Sequence, residues 1–366
     1  MTESATMTRF TLSLALAALL HAGLATAATP VSPSDAKLQY TGRIDFSQAD
    51  APLISWPNTS IAGRFTGTSL AIKLDDERGR NYFNVFLDGD LSAPLVLEAK
   101  QGAATYVVAQ KLAPGTHSFL ITKRTEGEEG ATVFRGLELD DGAALLPPAP
   151  RPKRRIEFFG DSITSGMGNE GALNGRDDAG KDKNSFLSYA AIAARQLKAE
   201  VHMTSQSGIG VMISWFPFTM PDFYDQLSAV GDNDSRWDFA RWTPDVVVVN
   251  LLQNDSWLIG RDHKLQPEPG DAERIAAYKR FVQRIRQRYP QAYIVCALGS
   301  MDATRPGSPW PGYVTAAVQQ MRKEDGDKRI DTLFFEHTGY GQHPRVHHHQ
   351  ANAAKLTALV RARMGW

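Results

Sequence analysis

Ser162 stands at a position suited to a nucleophile. The sequence at 154–168 reads RRIEFFGDSITSGMG, so an apolar run leads directly into Gly-Asp-Ser and a glycine-containing loop. If the apolar run is a β-strand, the Ser162 hydroxyl lies at the carboxyl end of that strand, where open α/β sheets bind their ligands. A serine hydroxyl attacks well at neutral pH only when a base takes its proton and donors stabilise the oxyanion that forms. The chain must therefore supply a base and oxyanion donors elsewhere.

Such groups occur at three later points, each following a predicted strand. Gly208 lies in Ser-Gly-Ile-Gly at 207–210, where a glycine lets a backbone N–H approach an oxyanion closely. Asn254, after the apolar segment 246–252, offers a side-chain amide to the same oxygen. His343, in a His-Pro turn before the last helical segment, is the expected general base. Each signal alone is typical of an ordinary turn, and their order along strand ends is what favours a catalytic set.

The elements that position these residues differ between the two halves of the chain. The second half alternates strand-like and helix-like segments, which predicts a parallel sheet with helices on both faces. Its strands are predicted over 156–159, 200–205, 246–252, 293–298 and 332–335, and its helices over 184–197, 271–289, 311–323 and 350–364. The first half has short segments rich in β-branched and aromatic residues between Gly, Asp and Pro turns, which predicts an all-β sandwich or jelly roll. These segments are 69–74, 82–87, 104–109, 117–123 and 133–139.

The organisation along the chain follows from two further segments. The proline-rich run LPPAPRPKRR at 146–155 is a stiff connector, so we predict a β-sandwich domain at 28–147 and a parallel-sheet α/β domain at 148–366. Residues 1–27 hold one arginine, an apolar run and Ala-Thr-Ala at the end, which predicts a secretory signal peptide and a periplasmic or secreted protein. No later segment is long and apolar enough to span a membrane.

The set Ser162, Gly208, Asn254 and His343, in that order, resembles the SGNH (GDSL-type) hydrolase superfamily, which is named for these four residue types. Within it the chain is most similar to carbohydrate esterase family two, deacetylases of plant polysaccharides in which a small β-sandwich precedes the hydrolase domain. The likeness covers nearly the whole chain and is carried by YTGR at 40–43, LAPGTH at 112–117, KRTE at 123–126, FFGDSIT at 158–164, MPDFYD at 220–225 and WTPD at 242–245.

The resemblance implies a three-layer α/β/α domain behind the sandwich, and a serine esterase that removes O-acetyl groups from a polysaccharide such as xylan or mannan. Ser162 would attack the ester, and His343 would act as the base. The backbone N–H groups of Ser162 and Gly208, with the side chain of Asn254, would hold the oxyanion. The reaction would pass through an acyl-enzyme and need no cofactor.

One departure concerns the third member of a Ser-His-Asp triad. Superfamily members usually carry an aspartate two or three residues before the histidine, and here those positions are Gly341 and Tyr340. Some members of the resembled family work as a Ser-His dyad. We therefore expect His343 Nδ1 to donate to a backbone carbonyl in the turn at 338–342, with Glu336 as the less favoured partner.

Aromatic and histidine residues near the four points admit two interpretations each. Trp215 and Trp257 follow Gly208 and Asn254, and aromatic faces suit sugar rings, so we predict both as substrate contacts, with core packing as the alternative. Trp257 is favoured of the two, because it stands three residues from Asn254. Histidines at 337, 343 and 347–349 invite a zinc site, but no cysteine or ordered carboxylate set lies nearby. We therefore predict no metal. The polar loop at 169–183 is expected to be a mobile rim or a solvated linker.

Composition limits the range of partners. Lysine and arginine total 40 and aspartate and glutamate total 40, so no nucleic acid or other polyelectrolyte partner is indicated. The single cysteine, Cys296, excludes an intramolecular disulfide, and its apolar surroundings predict a small buried side chain. The oligomeric state stays open. Two other functions also stay open: an esterase of peptidoglycan O-acetyl groups, short-chain lipid esters or thioesters, and an inactive carbohydrate-binding protein.

Overall fold

The first part of the chain forms two antiparallel sheets. The computed structural model describes residues 28–338 and 342–366, so the predicted signal peptide lies outside the described residues. The strands are β1 (Thr29–Val31), β2 (Gln39–Thr41), β3 (Ile44–Asp45), β4 (Leu53–Ile54), β5 (Ser60–Thr66), β6 (Leu70–Asp76), β7 (Tyr82–Leu87), β8 (Leu95–Glu98), β9 (Gly102–Ala109), β10 (Thr116–Lys123), β11 (Thr132–Leu139) and β12 (Leu145–Leu146). One sheet has the order β3-β4-β11-β6-β9 with β1 beside β11, and the other has the order β12-β5-β10-β7-β8 with β2 beside β5.

Alternation of side chains explains how these two sheets pack. In β5, Ile61, Gly63 and Phe65 are buried while Ala62 and Arg64 between them are partly exposed. In β10, Phe119 and Ile121 point into the same core. Two apolar inner faces packed against each other are the basis of a β-sandwich.

The second part of the chain forms one parallel sheet between helical layers. Its strands are β13 (Arg154–Gly160), β14 (Ala199–Ser205), β15 (Val246–Asn250), β16 (Tyr293–Leu298) and β17 (Ile330–Phe334), in the order β14-β13-β15-β16-β17. The helices are α1 (Ser162–Ser165), α2 (Tyr189–Gln196), α3 (Met220–Phe223), α4 (Gln253–Leu258), α5 (Asp271–Arg288), α6 (Trp310–Glu324) and α7 (Val346–Met364). Every residue of β15 is buried, as expected for a strand covered on both faces. The predicted fold class is confirmed.

Several boundaries differ from the predictions, and two of the differences have a clear physical cause. The helix predicted from residue 184 begins only at Tyr189, because the sandwich binds the preceding turn: Ser185 donates its backbone N–H to Arg124 O at 3.0 Å and its hydroxyl to Lys123 O at 2.7 Å. The strand predicted to run to residue 252 ends at Asn250, because Leu252 adopts a left-handed conformation with φ of 86°. No described helix is long and apolar enough to cross a membrane.

Buried contacts join the two halves. Arg43 of the sandwich is 1% exposed and places Nη2 2.8 Å from Glu157 of β13, and its Nη1 donates to the carbonyl of Tyr224 at 2.7 Å. Trp56 Nε1 donates to Leu227 O at 2.7 Å. Arg43 thus ties the sandwich to β13 of the parallel sheet, and removing it would leave a buried charge uncompensated.

Candidate active site

Ser162 stands at the turn between β13 and α1. Asp161 caps the helix, because its Oδ1 accepts the backbone N–H of Ile163 at 3.0 Å. Gly160 is required at the strand end, since a Cβ there would lie 2.0 Å from Thr164 Oγ1. Ser162 is the first residue of α1, and first-turn N–H groups have no acceptor within their own helix. The turn therefore presents both a hydroxyl and a backbone donor at the carboxyl edge of the sheet.

His343 lies between Ser162 and a carboxylate. Its Nε2 is 2.8 Å from Ser162 Oγ, and its Nδ1 is 2.9 Å from Asp177 Oδ2. The same oxygen of Asp177 accepts the backbone N–H of His343 at 2.8 Å. This is the geometry of a Ser-His-Asp triad, in which the carboxylate orients the imidazole and stabilises its charged form.

Arg345 holds Asp177 in place. Its Nη1 lies 2.5 Å from Asp177 Oδ1 and 2.7 Å from Gly168 O, and its Nη2 donates to Ala172 O at 2.9 Å. Arg345 is 4% exposed. Although burial raises the pKa of Asp177, hydrogen bonds from His343 and Arg345 outweigh it and lower that pKa. Asp177 is thus a carboxylate held in its charged form beside the histidine.

The prediction of a histidine without an adjacent carboxylate is therefore wrong. Glu336, the less favoured predicted partner of His343, is exposed and lies 3.9 Å from Lys355. The turn residues 339–341 lie outside the described residues. Sequence reasoning missed Asp177 because it lies in the polar loop at 169–183, which the structure ties to Arg345. The signals available were Arg-Asp-Asp inside that loop and an arginine two residues after His343.

Gly208 and Asn254 follow the strands that flank β13. Gly208 has a φ of 85°, and a Cβ there would lie 3.2 Å from the ring of Phe216. Asn254 Nδ2 donates to Ile209 O at 2.8 Å, and its Oδ1 accepts from Trp215 Nε1 at 3.1 Å. These two contacts fix the amide plane, and an NH2 group has a second proton to offer. The parallel order β14-β13-β15 brings the loops that carry Gly208 and Asn254 to the same sheet edge as Ser162.

Asp255, next to Asn254, makes contacts that hold the backbone in place. Its carboxylate accepts the backbone N–H groups of Val211 at 2.9 Å and Met212 at 2.7 Å. Burial raises the pKa of Asp255 to about 6, although the backbone donors act in the opposite direction. Burial likewise raises the pKa of Asp161 to about 7. Asp255 thus holds the chain that follows Gly208, whereas Asn254 faces the Trp215 indole.

The two tryptophans have different surroundings. Trp215 is 55% exposed beside Gly208, whose carbonyl accepts the Trp215 backbone N–H at 3.1 Å. Trp257 is partly buried against the core, and its Nε1 donates to Asp302 Oδ2 at 2.7 Å. Trp257 lines a cleft of about 400 Å³. Trp215 is therefore the tryptophan that presents an open aromatic surface at the site.

Two of the remaining histidines bind backbone near the start of α7. His349 is buried, its Nδ1 accepts the backbone N–H of Tyr189 at 3.1 Å, and burial lowers its pKa to about 3. His348 Nδ1 accepts the backbone N–H of Arg345 at 3.1 Å. Within 28–338 and 342–366, no group of three or more His, Cys, Asp or Glu side chains could hold a metal ion. Cys296 is fully buried, as predicted.

Two family models match successive parts of the chain. Residues 40–150 match the carbohydrate esterase 2 N-terminal model, and residues 158–355 match the GDSL-like lipase/acylhydrolase family. The cellulase/esterase CelE of Acetivibrio thermocellus is 33% identical over 350 residues, covering 89% of this chain and 39% of CelE. The chain thus spans about two fifths of the length of that relative.

Two further similar proteins align over almost their whole length. An acetylxylan esterase / glucomannan deacetylase of Cellvibrio japonicus is 26% identical over 345 residues, covering 92% of this chain and 91% of that protein. The structure of a family two carbohydrate esterase from Clostridium thermocellum, in complex with cellohexaose, has a TM-score of 0.80 and 32% identity. That alignment covers 90% of this chain and 99% of the other. With a GDSL-like hydrolase domain behind its sandwich, the chain belongs to the family two carbohydrate esterases.

Proposed function

We propose that this carbohydrate esterase removes O-acetyl groups from a plant cell-wall polysaccharide, xylan or a mannan, through an acyl-enzyme on Ser162. The observation that carries the proposal is the hydrogen-bonded series of Ser162 Oγ, His343 and Asp177, with contacts of 2.8 and 2.9 Å. The names of the two relatives, acetylxylan esterase / glucomannan deacetylase and cellulase/esterase, support a polymeric glycan as substrate.

The steps follow from the positions of these groups. Ser162 Oγ attacks the acetyl carbonyl carbon while His343 Nε2 takes the hydroxyl proton. The Ser162 and Gly208 N–H groups and the Asn254 amide stabilise the oxyanion. The bond between the acetyl carbon and the sugar oxygen then breaks, and His343 gives its proton to that departing oxygen. Water repeats both steps on the acetyl-enzyme and releases acetate.

The open indole of Trp215 suits the apolar face of a sugar ring, and we assign it to substrate binding. Trp257 is a second candidate, through the cleft that it lines with Asp302. We also propose that the enzyme acts in the periplasm or outside the cell, which the predicted signal peptide at 1–27 supports. The divisions at 28–147 and 148–366 are our proposed domain boundaries.

Acetate release from acetylated xylan and acetylated glucomannan tests the proposal. We expect turnover on one or both polymers, and a loss of about three orders of magnitude or more in Ser162→Ala and His343→Ala, since nucleophile and base act as a unit. Retention of a tenth of the wild-type rate in either folded variant would contradict the assignment. A series of 4-nitrophenyl esters from acetyl to octanoyl separates an acetylesterase, fastest on acetyl, from an enzyme of longer lipid esters.

A further inference from the structure

A buried glutamate of the sandwich reaches the loop that carries the proposed oxyanion donor. Glu126 lies three residues beyond the end of β10 and is 1% exposed. Its Oε2 accepts the backbone N–H of Ser207 at 2.6 Å. Ser207 directly precedes Gly208, so a side chain from the sandwich holds the backbone one residue from the donor N–H.

Glu126 is held as a carboxylate. Burial raises its pKa, but Lys183 and hydrogen-bond donors including Ser207 together lower that pKa below its usual value. Lys183 Nζ lies 3.3 Å from Glu126 Oε1 and also contacts Glu129. A hydrogen bond to an ionised acceptor is shorter and stronger than one between neutral groups. The hold on Ser207 is therefore a charge-assisted bond in a region shielded from water.

The same part of the sandwich also holds the loop that carries Asp177. Lys183, the counter-charge of Glu126, ends that loop. Arg124, two residues before Glu126, donates from Nη2 to Lys181 O at 2.8 Å and from Nε to Lys183 O at 3.2 Å. The sandwich thus contacts both the oxyanion loop and the acid loop through buried side chains.

We propose that Glu126 is a positioning residue for ester hydrolysis: it fixes Ser207 so that the Gly208 N–H stays directed at the oxyanion, which makes the sandwich a part of the hydrolytic site. The inference rests on the proposed roles of Ser162 and Gly208. Substitution of a residue that is needed only for folding would lower the number of active molecules. Substitution of a positioning residue lowers the rate of each active molecule and its affinity for a tetrahedral anion.

The test measures hydrolysis of 4-nitrophenyl acetate per active site, with sites counted by titration with a fluorophosphonate. We expect Glu126→Ala to lower kcat/KM by about 10- to 100-fold, less than full removal of an oxyanion donor. Inhibition by phenylboronic acid, whose tetrahedral adduct places an oxygen at the oxyanion position, should weaken by a similar factor. Glu126→Gln keeps an acceptor oxygen for Ser207 and should lose less than Glu126→Ala.

Glu128→Gln is the matched control. Glu128 lies 3.6 Å from the same Lys183 but is exposed, and we expect its variant to stay within twofold of wild type. If Glu126→Ala gives no titratable sites, Glu126→Asp tests the proposal in its place. That variant keeps the charge, but its side chain is one methylene shorter. We expect it to lose at least tenfold per site.

Per-site rates and boronate inhibition within threefold of wild type in the Glu126→Ala variant, or in Glu126→Asp where it decides, would overturn the proposal. Full activity of Ser162→Ala would instead refute the proposed function, so the two failures are distinguishable.

Discussion

Replacing Asp177 by asparagine should separate a triad from a dyad. Oδ2 of Asp177 accepts two donors from His343, at 2.8 and 2.9 Å, and Oδ1 accepts Arg345 at 2.5 Å. An asparagine has a single acceptor oxygen. If that oxygen faces His343, the new NH2 faces the Arg345 guanidinium. If the NH2 faces His343, it opposes a backbone N–H and favours the tautomer with the proton on Nε2, which cannot accept the proton of Ser162.

The loss can be estimated from the contacts that disappear. Hydrogen bonds to charged groups are worth about 1.5–3 kcal/mol each, and the triad carboxylate stabilises the imidazolium that forms in the transition state. A combined loss of about 3–5 kcal/mol in the transition state corresponds to roughly a 10²- to 10⁴-fold fall in kcat. We therefore expect Asp177→Asn to lie in that range on 4-nitrophenyl acetate at neutral pH.

Asp178→Asn provides the control for this prediction. Asp178 is the next residue in the same loop, is more than half exposed and pairs with Arg176 at 2.5 Å, so its variant should stay within twofold of wild type. Circular dichroism of both variants checks the fold. If Asp177→Asn keeps its fold and stays within threefold of wild type, the histidine works without this carboxylate and the triad assignment is refuted.

Three further predictions concern neighbouring residues. Asn254→Ala should lower kcat by about a hundredfold with an unchanged circular dichroism spectrum, since it removes an oxyanion donor; a wild-type rate would move that role elsewhere. Trp215→Phe keeps an aromatic face but loses the N–H that orients Asn254, so kcat should fall three- to tenfold while KM for acetylated xylo-oligosaccharides stays constant; a rise in KM alone would contradict this. Asp161 has a folded pKa of about 7 against 3.8 unfolded, so its stabilising contribution is complete below pH 3.8 and is lost as pH rises through 7. The Tm of wild type relative to Asp161→Asn should therefore fall between pH 4 and 7, by the equivalent of at most roughly 4 kcal/mol, and a constant difference would contradict the pKa.

Most of the larger elements could be predicted because their patterns are strong, although the seven-residue strand β5 was not predicted. The central strands β15 and β16 are almost entirely apolar, as strands covered on both faces tend to be, and α5 differs from its predicted range by one residue. The two- and three-residue strands β1 to β4 have no such pattern and were not predicted. The start of α2 was placed too early because the sandwich carbonyls of Lys123 and Arg124 bind the chain at Ser185.

The site residues that could be predicted are likewise those that follow a strongly patterned element. Ser162, Gly208 and Asn254 follow strand ends, so chain order and sheet topology together bring them to one edge. Asp177 follows no strand or helix end, and its position comes from contacts with side chains distant in sequence. The KRTE segment at 123–126 was identified only as a feature shared with the family, and its contacts with both site loops depend on how the two halves pack.

The position of the acid follows from what the reaction requires of it. The nucleophile, donors and base must converge on one carbonyl, whereas the acid need only reach the far nitrogen of His343. Any loop that passes there can supply the carboxylate, provided that the loop is held. Ordering the segment at 169–183 costs backbone entropy, and Arg345 offsets that cost with contacts to Gly168 and Ala172. The lack of an aspartate at 340 and 341 therefore excludes only those two positions for the acid. The contacts of Arg345 show how a loop distant in sequence can be held so that it supplies the carboxylate.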